Sequence, residues 1–264
     1  MTKTPWALIL GASSGFGEAS AIELARTGMN ILGVHLDRRE KLDHVEDVQK
    51  RIREIGRDVH FFNFNAADDE KRASTVEAIR RRLTLDQESQ GTVRVLIHSL
   101  AFGTLKPLAG APDVTSKNQM ELTADVMAHS LVYWVQDLLR AGLLENFARI
   151  FALTSAGSRS AIPQYGAVGA AKAAIEAHTR QLALELAPAG ITANAIMAGV
   201  TDTPALRMIP GHEKLMEFAR QRNPHKRLTR PEDVARCIAA LCHPGTYWMT
   251  GNVIQVDGGE NSVG

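Results

Sequence analysis

Short apolar runs alternate with longer amphipathic stretches from one end of the chain to the other. The runs at 7–10, 30–35, 59–64, 93–99, 149–154, 191–196 and 253–256 read as strands. The stretches at 15–27, 39–55, 68–83, 119–143, 164–187 and 231–241 carry the wider spacing of apolar positions expected of helices. The strands lack a clear two-residue alternation, which implies burial on both faces, and helices separate them. The pattern predicts one α/β domain spanning residues 1–264: a doubly wound, parallel seven-stranded sheet with a ligand crevice at the carboxyl ends of its strands.

Two places depart from the alternation. A polar connection occupies 85–91, and a long excursion at 201–224 separates the sixth strand from the last helix. The excursion contains GHEKLMEFARQ, an amphipathic helical pattern, and two readings of it stand side by side: a lid over a binding site, or a surface helix lying on the core.

Composition adds exclusions. The 264 residues are 45% apolar and 22% charged, ordinary for a globular protein able to bury a large core. Thirty basic and 29 acidic residues are evenly mixed, leaving no basic patch for nucleic acid. The start MTKTPWALIL enters a strand almost at once, with neither a signal peptide nor a membrane span in view, so a cytoplasmic protein is expected. Cys237 and Cys242, five apart in a helical stretch, lack the His/Cys company of a metal site and read as buried free thiols. No metal site is expected.

Two motifs carry chemistry. In LILGASSGFGEASA, Gly11, Gly15 and Gly17 lie between the first strand and the first helix. Glycines there permit a tight turn and close approach of a pyrophosphate to the free N–H groups of a helix N-terminus; a plain strand-to-helix turn is the alternative. In SAGSRSAIPQYGAVGAAK, Ser155 ends an apolar run, and Tyr165 and Lys172 follow seven positions apart. On a helix that is two turns with a mismatch of ~20°, placing both on one face about 10 Å apart along the axis.

GASSGFG, the Tyr–Lys stretch, ANAIMAG before Thr203, and VDGG at 256–259 together resemble the short-chain dehydrogenase/reductase family over nearly the whole chain. The resemblance implies a Rossmann-like fold and a nicotinamide dinucleotide. The family's usual catalytic pattern is Tyr-x-x-x-Lys with a serine seventeen residues before the lysine. Here Lys172 and Ser155 hold that spacing, but Val168 stands where the tyrosine belongs and Tyr165 comes one turn earlier. Tyr-x6-Lys is similar to the enoyl-acyl-carrier-protein reductase branch, and so is HSLAF at 98–102. Met127 occupies roughly the place of the family's catalytic asparagine, and Ser155 the place of a second tyrosine found in many enoyl reductases. A displaced tyrosine suits that chemistry. In a ketone the oxygen to be protonated is on the carbon that takes the hydride, whereas in an enoyl thioester charge collects on an oxygen three bonds away, and one helical turn moves the phenol about 5 Å. The alternative is that Tyr165 is a structural aromatic and the acid is lost.

The resemblance assigns catalytic roles to Tyr165, Lys172 and Ser155. It places Gly11, Ser13, Ser14, Gly15, Phe16 and Gly17 in the phosphate loop, Asn65 and Ala66 beside the adenine, and Ser99, Leu100 and Ala101 after the fourth strand. Ala198, Gly199, Val200 and Thr203 fall around the nicotinamide, with Lys172 on its ribose. His35 stands where NAD-dependent members usually have Asp, with Arg38 and Arg39 just beyond; NADP(H) is favoured, and NAD(H) stays open. The implied activity is NAD(P)H-dependent reduction of the double bond of a 2-enoyl thioester carried by acyl carrier protein or coenzyme A, with segment 201–224 as the lid and a homotetramer or homodimer as the assembly. The rivals are a carbonyl reductase or alcohol dehydrogenase, and a non-catalytic dinucleotide-binding sensor.

Overall fold

A computed structural model describes residues 5–85 and 91–263, so the polar connection expected at 85–91 lies largely outside the described residues. In chain order the first half runs β1 (Pro5–Leu10), α1 (Gly15–Arg26), β2 (Asn30–His35), α2 (Leu42–Glu54), β3 (Val59–Asn63), α3 (Asp69–Leu85) and β4 (Thr92–His98). The second half runs α4 (Lys117–Ala124), α5 (Ser130–Arg140), β5 (Leu144–Ser155), α6 (Gly166–Glu185), β6 (Thr192–Ala198), α7 (Pro204–Arg207), α8 (His212–Arg222), α9 (Pro231–Leu241) and β7 (Val253–Val256). The seven strands pair in parallel in the order β3-β2-β1-β4-β5-β6-β7. The single α/β domain and its doubly wound sheet are as the sequence pattern predicts.

The missing alternation has the expected cause. Leu8 and Leu10 of β1 enter a core with Leu131, Trp134 and Ile175 on one face of the sheet. Ala7 and Ile9, the residues between them, enter a second core with Ile22, Val48 and Ile238 on the other. Successive side chains point to opposite faces, and both faces are dry, so every position is apolar. The strand order reverses between β1 and β4, and the loops leaving β1, β4, β5 and β6 gather at this switch point.

The departures from the sequence reading that bear on the site lie around α4, α5 and α6. The helix expected at 119–143 begins at Lys117, because Ser116 is its N-cap. The Ser116 hydroxyl accepts from the Gln119 amide at 3.3 Å, and the Gln119 side chain accepts from the Ser116 amide at 3.0 Å. A π-helical turn, Asp125–His129, then separates α4 from α5. The helix expected at 164–187 begins only at Gly166. Gln164 has φ of 61°, a left-handed backbone that breaks the helix, and Tyr165 is the N-cap residue, its carbonyl accepting from the Gly169 amide at 2.7 Å. Tyr165 and Lys172 are therefore not two side chains of one helical face: the tyrosine sits at the mouth of the helix and the lysine within it.

The 201–224 excursion holds two helices. Thr203 caps α7 by accepting from the Leu206 amide at 3.2 Å, and α8 follows the left-handed Gly211. Within α8 only Ala219 is fully buried, Leu215 and Met216 are half-buried, and Phe218 is exposed. At its C-terminal end Arg222 donates to the Val263 carbonyl.

Candidate active site

The turn after β1 depends on missing side chains. The Gly11 and Ala12 amides both donate to the Val34 carbonyl, at 2.8 and 3.1 Å, drawing the loop under β2. A Cβ on Gly17 would lie 1.9 Å from the Gly11 carbonyl oxygen, and one on Gly11 would lie 2.3 Å from the Ser99 carbonyl oxygen. Neither position tolerates alanine, because backbone occupies the space. Ser13 is buried; Ser14, the exposed N-cap of α1, offers no side-chain cap to the first turn, where Gly15, Phe16 and Gly17 sit. Those amides keep their donors free of side-chain partners. A Cβ on Gly15 would meet Thr203 at 3.3 Å, so the glycine loop and the start of the excursion are the two sides of one crevice.

Beyond β5, the Ser155 hydroxyl and the Tyr165 hydroxyl are 3.3 Å apart. Burial raises the phenol pKa above its ordinary value and the serine bond opposes the rise, so Tyr165 stays protonated at neutral pH and can donate. Lys172 is buried. Its Nζ donates to the Leu153 carbonyl at 2.7 Å and to the Leu100 carbonyl at 3.4 Å, with no carboxylate among the described residues in ion-pair range, and desolvation lowers its pKa to about 8. The lysine thus ties the end of β5 to the loop after β4. Val168, at the family's usual tyrosine position, is a buried core residue.

His98, at the end of β4, is fully buried with Nε2 2.8 Å from the Ser130 hydroxyl. Because Ser130 donates its own proton to the Val126 carbonyl at 2.8 Å, the histidine must donate to it. Burial, with the Lys172 charge nearby, lowers its pKa to about 3, so the ring is neutral and structural. Met127 is buried within the π turn and carries no group for proton transfer.

At the other end of the crevice His35 is buried, and its Nδ1 lies 3.0 Å from Asp37 Oδ2. Asn63 fixes the Asp37 main chain, accepting from its amide at 3.1 Å and donating to its carbonyl at 2.9 Å. Arg38 and Arg39 are exposed, with no ion pair among the described residues. After β3, the Asn65 side chain accepts from the Ala67 amide at 3.1 Å, and the Ala66 carbonyl accepts from the Trp134 indole N–H at 2.9 Å. Ala101 is exposed beside Leu100.

The β6 turn is held by a residue the sequence did not suggest. The Val200 amide donates to both oxygens of Glu260, at 3.2 and 3.4 Å, and burial raises that carboxyl's pKa. The Gly199 amide donates to the Val256 carbonyl at 3.2 Å, and a Cβ on Gly199 would lie 2.4 Å from the Thr229 hydroxyl. Ala198, Gly199 and Val200 are thereby fixed beside Thr203. Also unforeseen is Glu176, buried one turn past Lys172; its hydroxyl partners Thr154 and Ser158 lie far from it in sequence, so no local spacing marks it.

These residues fit a dinucleotide. The helix N-terminus is uncapped by any side chain, the glycine cradle has no room for a Cβ, and the buried ammonium has a donor left after its two carbonyls. A separate cavity of about 480 Å³ touches the Tyr165 ring and is walled by Lys106, Leu108, Ile162, Gln164 and Gly169. It lies along α6, and no residue of the glycine loop lines it.

Fold and site together define a short-chain dehydrogenase/reductase. Within that class the chain belongs to the family described as Enoyl-(Acyl carrier protein) reductase, whose model matches residues 11–261. It is 30% identical over 217 residues to an enoyl-acyl-carrier-protein reductase of Aquifex aeolicus named for NADH, covering 82% of this chain and 78% of that one. It is 25% identical over 252 residues to an enoyl-acyl-carrier-protein reductase of Staphylococcus aureus named for NADPH, covering 95% and 93%. The crystal structure of the Aquifex aeolicus enzyme superposes with a TM-score of 0.85 at 26% identity, covering 100% of this chain and 98% of that one.

Proposed function

We propose that this protein reduces the carbon–carbon double bond of a 2-enoyl thioester with NAD(P)H, its handle being acyl carrier protein or coenzyme A. The observation that carries this is the placement of the phenol: Tyr165 at the helix mouth, its hydroxyl 3.3 Å from Ser155, with an aliphatic core residue at position 168. A structural aromatic would not need its hydroxyl set beside Ser155, with a buried ammonium seven residues on at Lys172.

Gly11, Ser13, Ser14, Gly15, Phe16 and Gly17 would hold the pyrophosphate, Asn65 and Ala66 the adenine, and Lys172 the nicotinamide ribose. Ser99, Leu100, Ala101, Ala198, Gly199, Val200 and Thr203 would border the rest. When bound, the reduced nicotinamide supplies a hydride to Cβ of the enoyl chain. Tyr165 holds its proton at the thioester oxygen, where negative charge collects, and stabilises it by donation. Ser155 orients the phenol. Lys172, cationic below about pH 8, favours that developing charge as well as the ribose hydroxyls. The lid is the α7–α8 segment; α8's thin anchoring, with Phe218 exposed, leaves it free to close over an acyl chain.

Cofactor oxidation with crotonyl and acetoacetyl thioesters, measured side by side, tests the reading. Turnover on the crotonyl thioester alone is expected; preference for acetoacetyl would make the protein a carbonyl reductase, and tight cofactor binding without turnover would make it a sensor.

NADPH is the favoured cofactor, because Arg38 and Arg39 are exposed and, among the described residues, without ion pairs, and Asp37 is engaged by His35. Replacing both arginines with alanine is expected to raise KM for NADPH about tenfold or more and leave KM for NADH within twofold. Equal changes for the two cofactors would count against a 2′-phosphate site. A cytoplasmic location and a homotetramer or homodimer complete the proposal. Among the described residues no helix is long and apolar enough to cross a membrane, and exposed Leu184 and Trp248 offer apolar surface for assembly.

A further inference from the structure

The turn that carries Ser155 is held by one buried carboxylate. Glu176 is 5% exposed on α6. Its Oε1 accepts from the Thr154 hydroxyl at 2.8 Å and from the Ser158 hydroxyl at 2.6 Å, and its Oε2 lies 3.5 Å from the Arg159 guanidinium. A carboxylate taken out of water needs such partners, and here a single oxygen joins both ends of the segment 154–158. Thr154 and Ser155 are consecutive at a strand end, so holding Thr154 against α6 sets the direction in which Ser155 points.

The same turn seats the tyrosine ring. A Cβ on Gly157 would lie 2.5 Å from the ring of Tyr165, and a Cβ on Gly169 would lie 2.6 Å from the Gly157 carbonyl oxygen. The ring therefore rests on Gly157, and Gly157 rests on α6. A shift of the 154–158 turn would displace both contacts that place the phenol: its seat and its hydroxyl partner.

We infer that Glu176 is a positioning residue for Tyr165, stapling the Ser155 turn to α6 so that the phenol is presented at the depth and angle the reaction requires. This rests on the proposed role of Tyr165 in enoyl reduction. Misplacement of a reacting group by about 1 Å costs up to about a hundredfold in rate, which sets the scale of the effect.

The test is a double-mutant cycle. Glu176→Ala is expected to lower kcat on a crotonyl thioester about 30-fold. Glu176→Gln retains an oxygen that can accept both hydroxyl bonds, and should stay within about fivefold of the unaltered protein. Ser158→Ala, at a half-buried position where folding is not in question, should cost about fivefold. Made in a Tyr165→Phe background, each change should alter residual turnover by less than about twofold, because no hydroxyl is left to position. With ζ-¹³C-tyrosine, the Tyr165 resonance should move in Glu176→Ala while those of Tyr133 and Tyr247 stay.

The inference is overturned if Glu176→Ala, or Ser158→Ala should the former not fold, leaves kcat within twofold, or if the loss is the same in both backgrounds. If the unaltered protein reduces no enoyl thioester, or Tyr165→Phe is as active as the parent, the proposed function fails instead. The tyrosine resonance then decides by itself whether Glu176 holds the phenol.

Discussion

Phenylalanine in place of Tyr165 is expected to lower kcat on a short 2-enoyl thioester by about 10²- to 10⁴-fold, the range for loss of a positioned proton donor. The ring would still rest on Gly157, and only the hydroxyl beside Ser155 would be gone. Dinucleotide binding, read by quenching of protein fluorescence, should stay within twofold, because the phosphate loop and Lys172 are untouched. Turnover within threefold of the unaltered protein would remove Tyr165 from the mechanism and return it to the role of a packing aromatic.

Lys172→Met should abolish turnover while leaving the cofactor-free protein at least as stable as its parent at pH 7. The sign follows from desolvation. The ammonium titrates at about 8 in the folded chain against 10.5 in the open one, so the folded state disfavours the charged form. That difference amounts to about 3 kcal/mol, fully present below pH 8 and relieved as pH rises towards 10.5. Methionine escapes this cost but gives up bonds to the Leu153 and Leu100 carbonyls, which offsets part of the gain. Urea midpoints at pH 7 and pH 10 check it: the variant's advantage should shrink with pH. Turnover of the unaltered protein should in turn fall as pH passes about 8, where the lysine loses its charge. A variant several kcal/mol less stable at pH 7 would mean that the lysine holds the fold together, against this account.

The fold was legible because parallel strands buried on both faces leave a coarse signature, unbroken apolar runs between helices, which survives errors of a few residues at each boundary. Boundaries set by single backbone or side-chain contacts were harder to place. The capping box at Ser116 and Gln119 is present in the sequence, but the apolar pattern that marks the helix begins only at Gln119, and the π turn at 125–129 has no periodicity of its own. The start of α6 could not be found from spacing, because a left-handed glutamine is not a sequence pattern. At the site, the glycine loop, Ser155, Tyr165 and Lys172 announce themselves through residue type and interval. Glu176 and Glu260 do not. Each acts on partners brought near by folding, Thr154 and Ser158 in one case and the Val200 amide in the other, and nothing adjacent in sequence marks them.

The left-handed backbone at Gln164 limits what can stand before the tyrosine. At φ of 61° a β-branched side chain is strongly disfavoured, whereas glycine and asparagine adopt this conformation readily. Saturation of this codon followed by selection for activity should therefore enrich Gly and Asn and purge Val and Ile, although the position is exposed. Its tolerance is written in the main chain, and a substitution table built on hydrophobicity or size would rank these replacements in the wrong order.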